Sequence, residues 1–278
     1  MSAIDLDRYF ARIGYDGPRA PTLQVLERLH AQHVERIPFE NLSPFLGEPV
    51  RLDPASLEAK LVATGRGGYC FEHNLLFSYV LLELGFDLRR LAARVRWNVA
   101  PNVVTPRSHM LLRLFIDGRE HIADVGFGGL TLTTPLRLEA GVEQATPHEP
   151  HRLIAAGDGY VLEACVAGEW QALYAFDLHE QQVADFEVSS WYLCHHPQSP
   201  FVTGVIAARA APGRRYALRN TRFAVHHTGG ATERRFLRDV AEFREVLSGP
   251  LAIELPAAAD LDERLARLIA AHPRDATS

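Results

Sequence analysis

Three kinds of spacing follow one another along the chain. In the first third, apolar residues recur at helical intervals. Leu23, Leu26, Leu29 and Ile37 share a face of a segment that opens at Pro21-Thr22 and stops before Pro38. Ahead of it, Asp5 is placed to cap a short helix ending at Gly14. Asp53-Pro54 supplies a cap and a first-turn proline before Leu57 and Leu61. After Gly65-Arg66-Gly67-Gly68, the apolar positions Leu75, Leu76, Tyr79, Val80, Leu82 and Leu84 predict the strongest helix, with Gly85 as its stop.

From Leu88 to about Phe176 the pattern shortens to strand-like runs, among them 111–116, 160–166 and 171–176. Asp117-Gly118, Gly157-Asp158-Gly159 and Ala167-Gly168 mark the turns, so an antiparallel meander or barrel is expected. The stretch 131–150 has little periodicity and reads as a loop with one strand at most. The last third mixes both types. Strands are expected at 200–209 and 215–225. Helices are expected at 233–247 and 261–271, the second capped by Asp260. The fold class is therefore α+β in three parts, 1–86, 87–190 and 191–278, with soft boundaries and no internal repeat.

Composition narrows the function classes. Acidic residues outnumber basic ones by 34 to 29, for a net charge of -5, which argues against non-specific nucleic-acid binding. Arg234, Arg235 and Arg238 read as a solvated helix face. No apolar run approaches the ~20 residues of a membrane span, and the first ten residues are polar and acidic rather than a signal peptide. No membrane partner and a cytoplasmic location are expected. Cys70, Cys165 and Cys194 are too few and scattered for a disulfide framework, and none forms a Cys-x-x-Cys pair. Cys165 reads as core and Cys194 as an incidental thiol. His195-His196 and His226-His227 invite a metal reading, but adjacent strand residues point to opposite faces and no carboxylate or thiol has ligand spacing. No metal is expected.

Cys70 is the exception among the thiols. It stands between paired glycines and a helix, where unpaired amides and the positive end of the helix dipole favour thiolate, the nucleophilic form. The bland alternative is a small apolar residue filling a helix start. Strand geometry adds a partner. If Asp117-Gly118 closes a two-residue hairpin, Ile116 opposes Arg119, His109 falls opposite Gly126, and Asp124 falls opposite Leu111. His109 and Asp124 are then diagonal neighbours on one face, roughly 7–8 Å apart at the backbone. Asp124 could hold one ring nitrogen while the other faces a thiol. A three-residue loop would break this parity, and the pair would simply line a strand. Gly126-Phe127-Gly128-Gly129 follows, a turn whose amides could meet an anion or could be only a turn.

These residues form a familiar order. Pro38-Phe39-Glu40-Asn41-Leu42, Arg66-Gly67-Gly68-Tyr69-Cys70-Phe71-Glu72-His73-Asn74, Ser108-His109-Met110-Leu111, Asp124-Val125-Gly126-Phe127-Gly128 and Ser199-Pro200-Phe201 closely resemble the motifs of the arylamine N-acetyltransferases. The resemblance spans nearly the whole chain. It implies a helical bundle, a central β-barrel and a smaller α/β lid around a cysteine-protease-like core. It implies a Cys70, His109 and Asp124 triad, with acetyl-coenzyme A as co-substrate and no tightly bound cofactor. Cys70 would take the acetyl group and pass it to an arylamine, a hydrazine or an N-hydroxyarylamine. His73 reads as structural, and Arg66 with Glu40 as a structural ion pair. Gly126, Phe127, Gly128 and Gly129 would lie near the coenzyme pyrophosphate, with Trp97 a weaker coenzyme contact. Phe39, Val95, Phe127 and Phe201 would line the acceptor pocket, and the Cys70 amide is a candidate oxyanion donor. A monomer or homodimer fits equally. Two rivals remain: an amide synthase of the same family that closes macrocycles, and a non-catalytic protein that binds coenzyme A or an aromatic ligand.

Overall fold

Side-chain caps set the helical beginning of the chain. In the computed structural model, which describes residues 4–100 and 102–272, Asp5 accepts from the amides of Asp7 and Arg8 to start α1 (Leu6–Ile13), and Gly14 ends it in the left-handed region. Thr22 caps α2 (Leu23–Arg36). After β1 (Phe39–Glu40) and the short α3 (Leu42–Leu46), Asp53 caps α4 (Pro54–Leu57), which continues as one π-helical stretch, Glu58–Ala63. The helix α5 (Cys70–Glu83) is buried nearly all round.

The strands β2 (Asp87–Val95), β3 (His109–Ile116), β4 (Arg119–Ala123), β5 (Leu136–Arg137), β6 (Glu143–Gln144), β7 (His151–Ala156), β8 (Gly159–Val166) and β9 (Glu169–Glu180) follow. They form one antiparallel sheet in the order β5-β4-β3-β2-β9-β8-β7-β6, a nearly closed barrel. The stretch 131–150 thus holds two short strands rather than one at most. They are the two edges of the sheet, and the Gln144 side chain bridges them with hydrogen bonds to the Arg137 amide and carbonyl at 2.7 and 2.9 Å. Two-residue strands joined through a side chain leave no periodicity to read.

The last part departs further from expectation. An unforeseen helix, α6 (Val183–His195), precedes α7 (Pro200–Thr203), β10 (Ile206–Ala211), β11 (Arg214–Arg219), β12 (Arg222–His227), β13 (Thr232–Phe236), α8 (Val240–Ser248) and α9 (Leu261–Ala271). The strand expected at 200–209 begins as a helical turn, because Ser199 caps Pro200. The strand expected at 215–225 is a hairpin, turned at Asn220 with φ +51°. The helix expected from 233 starts only at Val240. Arg234 and Arg235 therefore lie on β13, not on a helix, and Arg238 pairs with Glu242 in α8. Asp260 precedes α9, but its carboxylate binds Arg264 instead of capping the helix. Strands β10 to β13 form a second sheet, and its outer member is β1 from the N-terminal third, with Phe39 opposite Ala208.

Strand β3 carries the join between bundle and barrel. Met110, Leu112, Leu114 and Ile116 pack on the helices, while Leu111 faces the barrel interior. Both faces are buried from His109 to Leu112, which explains the run of apolar residues on both parities there; further on, Arg113 and Phe115 are only half-buried. His109 has the parity of Leu111.

The bundle also buries a chain of histidines. Tyr9 Oη lies 2.8 Å from His33 Nδ1, His33 Nε2 lies 2.9 Å from His73 Nδ1, and His73 Nε2 lies 3.1 Å from the Pro38 carbonyl. A carbonyl only accepts, so His73 Nε2 donates to it and every proton in the chain is fixed: His33 donates to His73, and Tyr9 donates to His33. His73 thus turns into the bundle. Burial holds His30, His73 and His151 down to about 4 and His33 well below its usual range. A base depressed in the folded state destabilises that state as the unfolded chain takes up protons. For His30, His73 and His151 the loss begins near the unfolded value of about 6.5 and is complete near 4, on the order of 3 kcal/mol for each ring. We expect the melting temperature to fall steeply between pH 6.5 and 4 and to be flat from 7 to 8. A calorimetric profile level down to pH 4.5 would contradict this.

Candidate active site

Cys70 is the first residue of α5. The helix start is fixed by Glu72, whose Oε2 accepts from the Tyr69 amide at 3.1 Å while Lys60 Nζ pairs with Oε1 at 2.8 Å. Gly67 and Gly68 are required for packing. A Cβ on Gly67 would fall 1.9 Å from the Pro38 carbonyl oxygen, and one on Gly68 2.7 Å from Glu72. Beneath this turn, Arg66 Nε donates to Glu40 Oε1 at 2.8 Å, and Glu40 Oε2 accepts from the Leu42 amide, as a buried ion pair should to be tolerated.

The Asp117-Gly118 hairpin closes in two residues, both with positive φ, and pairs Ile116 with Arg119. The expected register therefore runs as far as Leu112 opposite Ala123, and the next turn of chain carries Asp124 across. His109 Nε2 lies 2.7 Å from Asp124 Oδ2, with His109 2% and Asp124 0% exposed. Oδ1 of the same carboxylate accepts from Asn74 Nδ2 and from the Gly126 amide, both at 2.9 Å. Burial pushes Asp124 up, but His109 and these donors bring it below the usual carboxylate range. Asn74 also donates to the Met110 carbonyl and accepts from the Val125 amide. It stands one helical turn beyond Cys70, so a single face of α5 presents thiol and amide together.

Two contacts bring Cys70 to this pair. Its Sγ donates to the carbonyl of Ser108, the residue before His109, at 3.5 Å. Gly126 packs on the first turn of α5, where a Cβ would fall 2.9 Å from the Cys70 Cα. The thiol is 4% exposed. Burial pushes it well up, the Asp124 charge adds to the effect, and the Phe71 amide opposes them. Desolvation thus outweighs the helix start, which favours thiolate, as long as no cation stands beside the sulfur.

The matches to known proteins agree with this geometry. A family model described as N-acetyltransferase matches residues 22–260. The chain is 48% identical over 266 residues to the arylamine N-acetyltransferase of Mycobacterium tuberculosis, covering 94% of this chain and 93% of that one. The chain belongs to the arylamine N-acetyltransferase family. The solved M. tuberculosis structure superposes with a TM-score of 0.91 at 47% identity, over 94% of this chain and 99% of that one. The Mycobacterium marinum arylamine N-acetyltransferase solved in complex with CoA gives 0.91 at 43% identity, over 95% and 99%.

In this acetyltransferase the expected pocket residues fall into two aromatic groups. Phe201 meets Phe39 edge-on with ring centres 6.2 Å apart, and Phe39 lies against Gly128. Phe127 meets His109 edge-on at 5.0 Å, and Tyr174 adjoins both rings. Val95 pairs with Tyr174 across β2 and β9. Trp97, two residues further, packs on the barrel core with its amide on the Leu173 carbonyl. In the glycine turn, the Gly126 amide is engaged by Asp124 and the Phe127 amide by Thr131 Oγ1. The amides of Gly128 and Gly129 have no protein acceptor among the described residues.

Several site residues went unread in the sequence. The Asp124 amide donates to His30 Nε2 at 3.3 Å. Tyr174 is fully buried with its hydroxyl unpaired among the described residues, and burial and then the Asp124 charge push it well up. The remaining thiols and histidines lie outside. Cys165 is half-buried, not core, and Cys194 contacts the Tyr69 hydroxyl. His195 ends a helix rather than a strand and stacks on Trp191. Among the described residues no group of three metal-ligating side chains occurs, and no helix is long and apolar enough to cross a membrane.

Proposed function

We propose that the protein moves an acetyl group from acetyl-coenzyme A to the nitrogen of arylamines, arylhydrazines or N-hydroxyarylamines, through an acetyl thioester on Cys70. The observation that carries the reading is the hydrogen bond from His109 to Asp124, with the Cys70 thiol seated on the carbonyl of the residue before that histidine.

Because Nε2 donates to Asp124, Nδ1 is the nitrogen that takes the thiol proton. A lone thiolate is disfavoured at this depth. It becomes favourable once the proton is on His109, since the imidazolium then lies beside both anions. The thiolate attacks the acetyl carbonyl of the coenzyme thioester. The C–S bond to coenzyme A breaks, and His109 returns its proton to the departing sulfur. In the second half the amine attacks acetyl-Cys70, His109 accepts the amine proton, the C–S bond to Cys70 breaks, and His109 passes the proton to Sγ to restore the thiol. As the first residue of α5, Cys70 has an amide without an intrahelical acceptor, suited to the developing oxyanion. The amides of Gly128 and Gly129 suit the coenzyme pyrophosphate, and coenzyme A as the donor's carrier is in keeping with the CoA complex of the M. marinum relative. Phe39, Phe127, Phe201 and Val95 suit a flat, weakly basic amine that stays neutral near pH 7.

Intact-protein mass spectrometry after mixing with acetyl-coenzyme A tests this. A single acetyl on Cys70 that disappears when an aromatic amine is added is the expected result. The chain has one lysine, Lys60, held by Glu72, so side-chain amines offer little background. Absence of both the adduct and released coenzyme A thiol would reject the reading.

A further inference from the structure

Among the described residues the largest fully buried side chain is a cation, Arg215, on β11 of the second sheet and 2% exposed. Its Nε donates to both oxygens of Glu149, at 3.1 and 2.8 Å, and Nη2 lies 2.7 Å from the same carboxylate. Its Nη1 donates to the backbone carbonyl of Thr131 at 3.0 Å. Thr131 closes the glycine turn: its hydroxyl donates to the Asp124 carbonyl at 3.1 Å and accepts from the Phe127 amide at 3.2 Å, and its own amide donates to the Gly128 carbonyl. A second link runs alongside, His148 lying between Thr133 Oγ1 and the Ala211 carbonyl of β10.

We propose that Arg215 is a positioning residue that ties the second sheet to the turn 126–131, and through Thr131 holds Asp124 and His109 in line with Cys70. This rests on the triad reading above. A guanidinium suits the task because its rigid fork satisfies Glu149 and the Thr131 carbonyl at once. A buried charge also enforces the docking, since it has no alternative partner if the sheet slips. The Thr131 hydroxyl spans Asp124 and Phe127 in both bonds, so a shift of its carbonyl displaces the carboxylate and the ring facing His109 together.

The test compares R215M, R215K, T131V and the R215M/T131V double variant, each below its melting transition. The saturated rate of Cys70 acetylation by acetyl-coenzyme A should fall at least tenfold in R215M, with the half-saturating concentration changed less than threefold. R215K, which reaches one acceptor but not both, should recover part of the rate. The double variant should be little slower than the worse single one, because both act through one turn. Alkylation of Cys70 by iodoacetamide, read at the peptide level, reports the same alignment without the thioester. It should slow at least fivefold in R215M, and it keeps the test separate from failure of the acetyl-transfer reading. A lowered melting temperature with wild-type rates per folded molecule, or fully additive effects, would overturn the proposal.

Discussion

Replacing Cys70 with alanine should remove the acetyl-protein adduct altogether and lower acetyl transfer by roughly 10⁴-fold or more, the scale on which loss of a covalent nucleophile is felt. No neighbouring group can stand in. Cys194, the other buried thiol, bonds the Tyr69 hydroxyl rather than His109. Stability should change little, by about 1 kcal/mol. Sγ makes one long contact to the Ser108 carbonyl, and its removal also relieves a desolvated ionisable group. Adduct mass, coenzyme A release and a melting curve measure all three. A variant that still acetylates amines at the normal rate would mean direct transfer between two bound substrates, with the thiol a bystander.

Cys70 stands at a helix start that could be read before the fold was known, and the reason is local. Asp5, Thr22, Asp53 and the glycines after the helices are signals within a few residues of what they terminate, so the bundle was legible. The hairpin at Asp117-Gly118 was equally local, and its two-residue closure carried His109 and Asp124 onto one face by counting alone. Helix α6 shows the opposite case. It buries Phe186, Ser190 and Cys194, one per turn, and leaves Val188, Trp191 and Tyr192 exposed, with Trp191 at 64%. Phe186 is the one large residue fully buried, the small Ser190 and Cys194 continue its face, and Trp191 and Tyr192 face out, so hydrophobic spacing gave no helix there.

The parts of the site supplied from far along the chain were not legible either. Arg215 lies 66 positions beyond Glu149, and a charged residue in a strand reads as solvent-facing until the sheet that covers it is known. Strand β1 pairs with β10 although a two-residue strand has no period. The burial of Cys70 was hidden for a related reason. The amide at the helix start is a sequence-local feature, whereas the burial that outweighs it comes with the start of β3 and the glycine turn packed against Cys70.

Asp124→Asn should preserve the shape of the site and still reduce Cys70 acetylation by roughly 10³- to 10⁴-fold, the scale at which a wrong histidine tautomer is felt in thiol and hydroxyl triads. The surroundings dictate which way the new amide turns. Oδ1 already faces two donors, Asn74 Nδ2 and the Gly126 amide, so the oxygen must stay there and the NH₂ must take the place of Oδ2. It then donates toward His109 Nε2, which must accept, and the ring proton moves to Nδ1. An imidazole protonated at Nδ1 cannot take the proton of Cys70. Because burial already disfavours a thiolate without a cationic partner, nucleophile and base are lost together. Iodoacetamide alkylation of Cys70 near neutral pH should therefore slow in parallel with acetylation, while the melting temperature moves by only a few degrees. Near-normal rates in both assays would mean that the carboxylate serves the fold alone, and that His109 finds its tautomer without it.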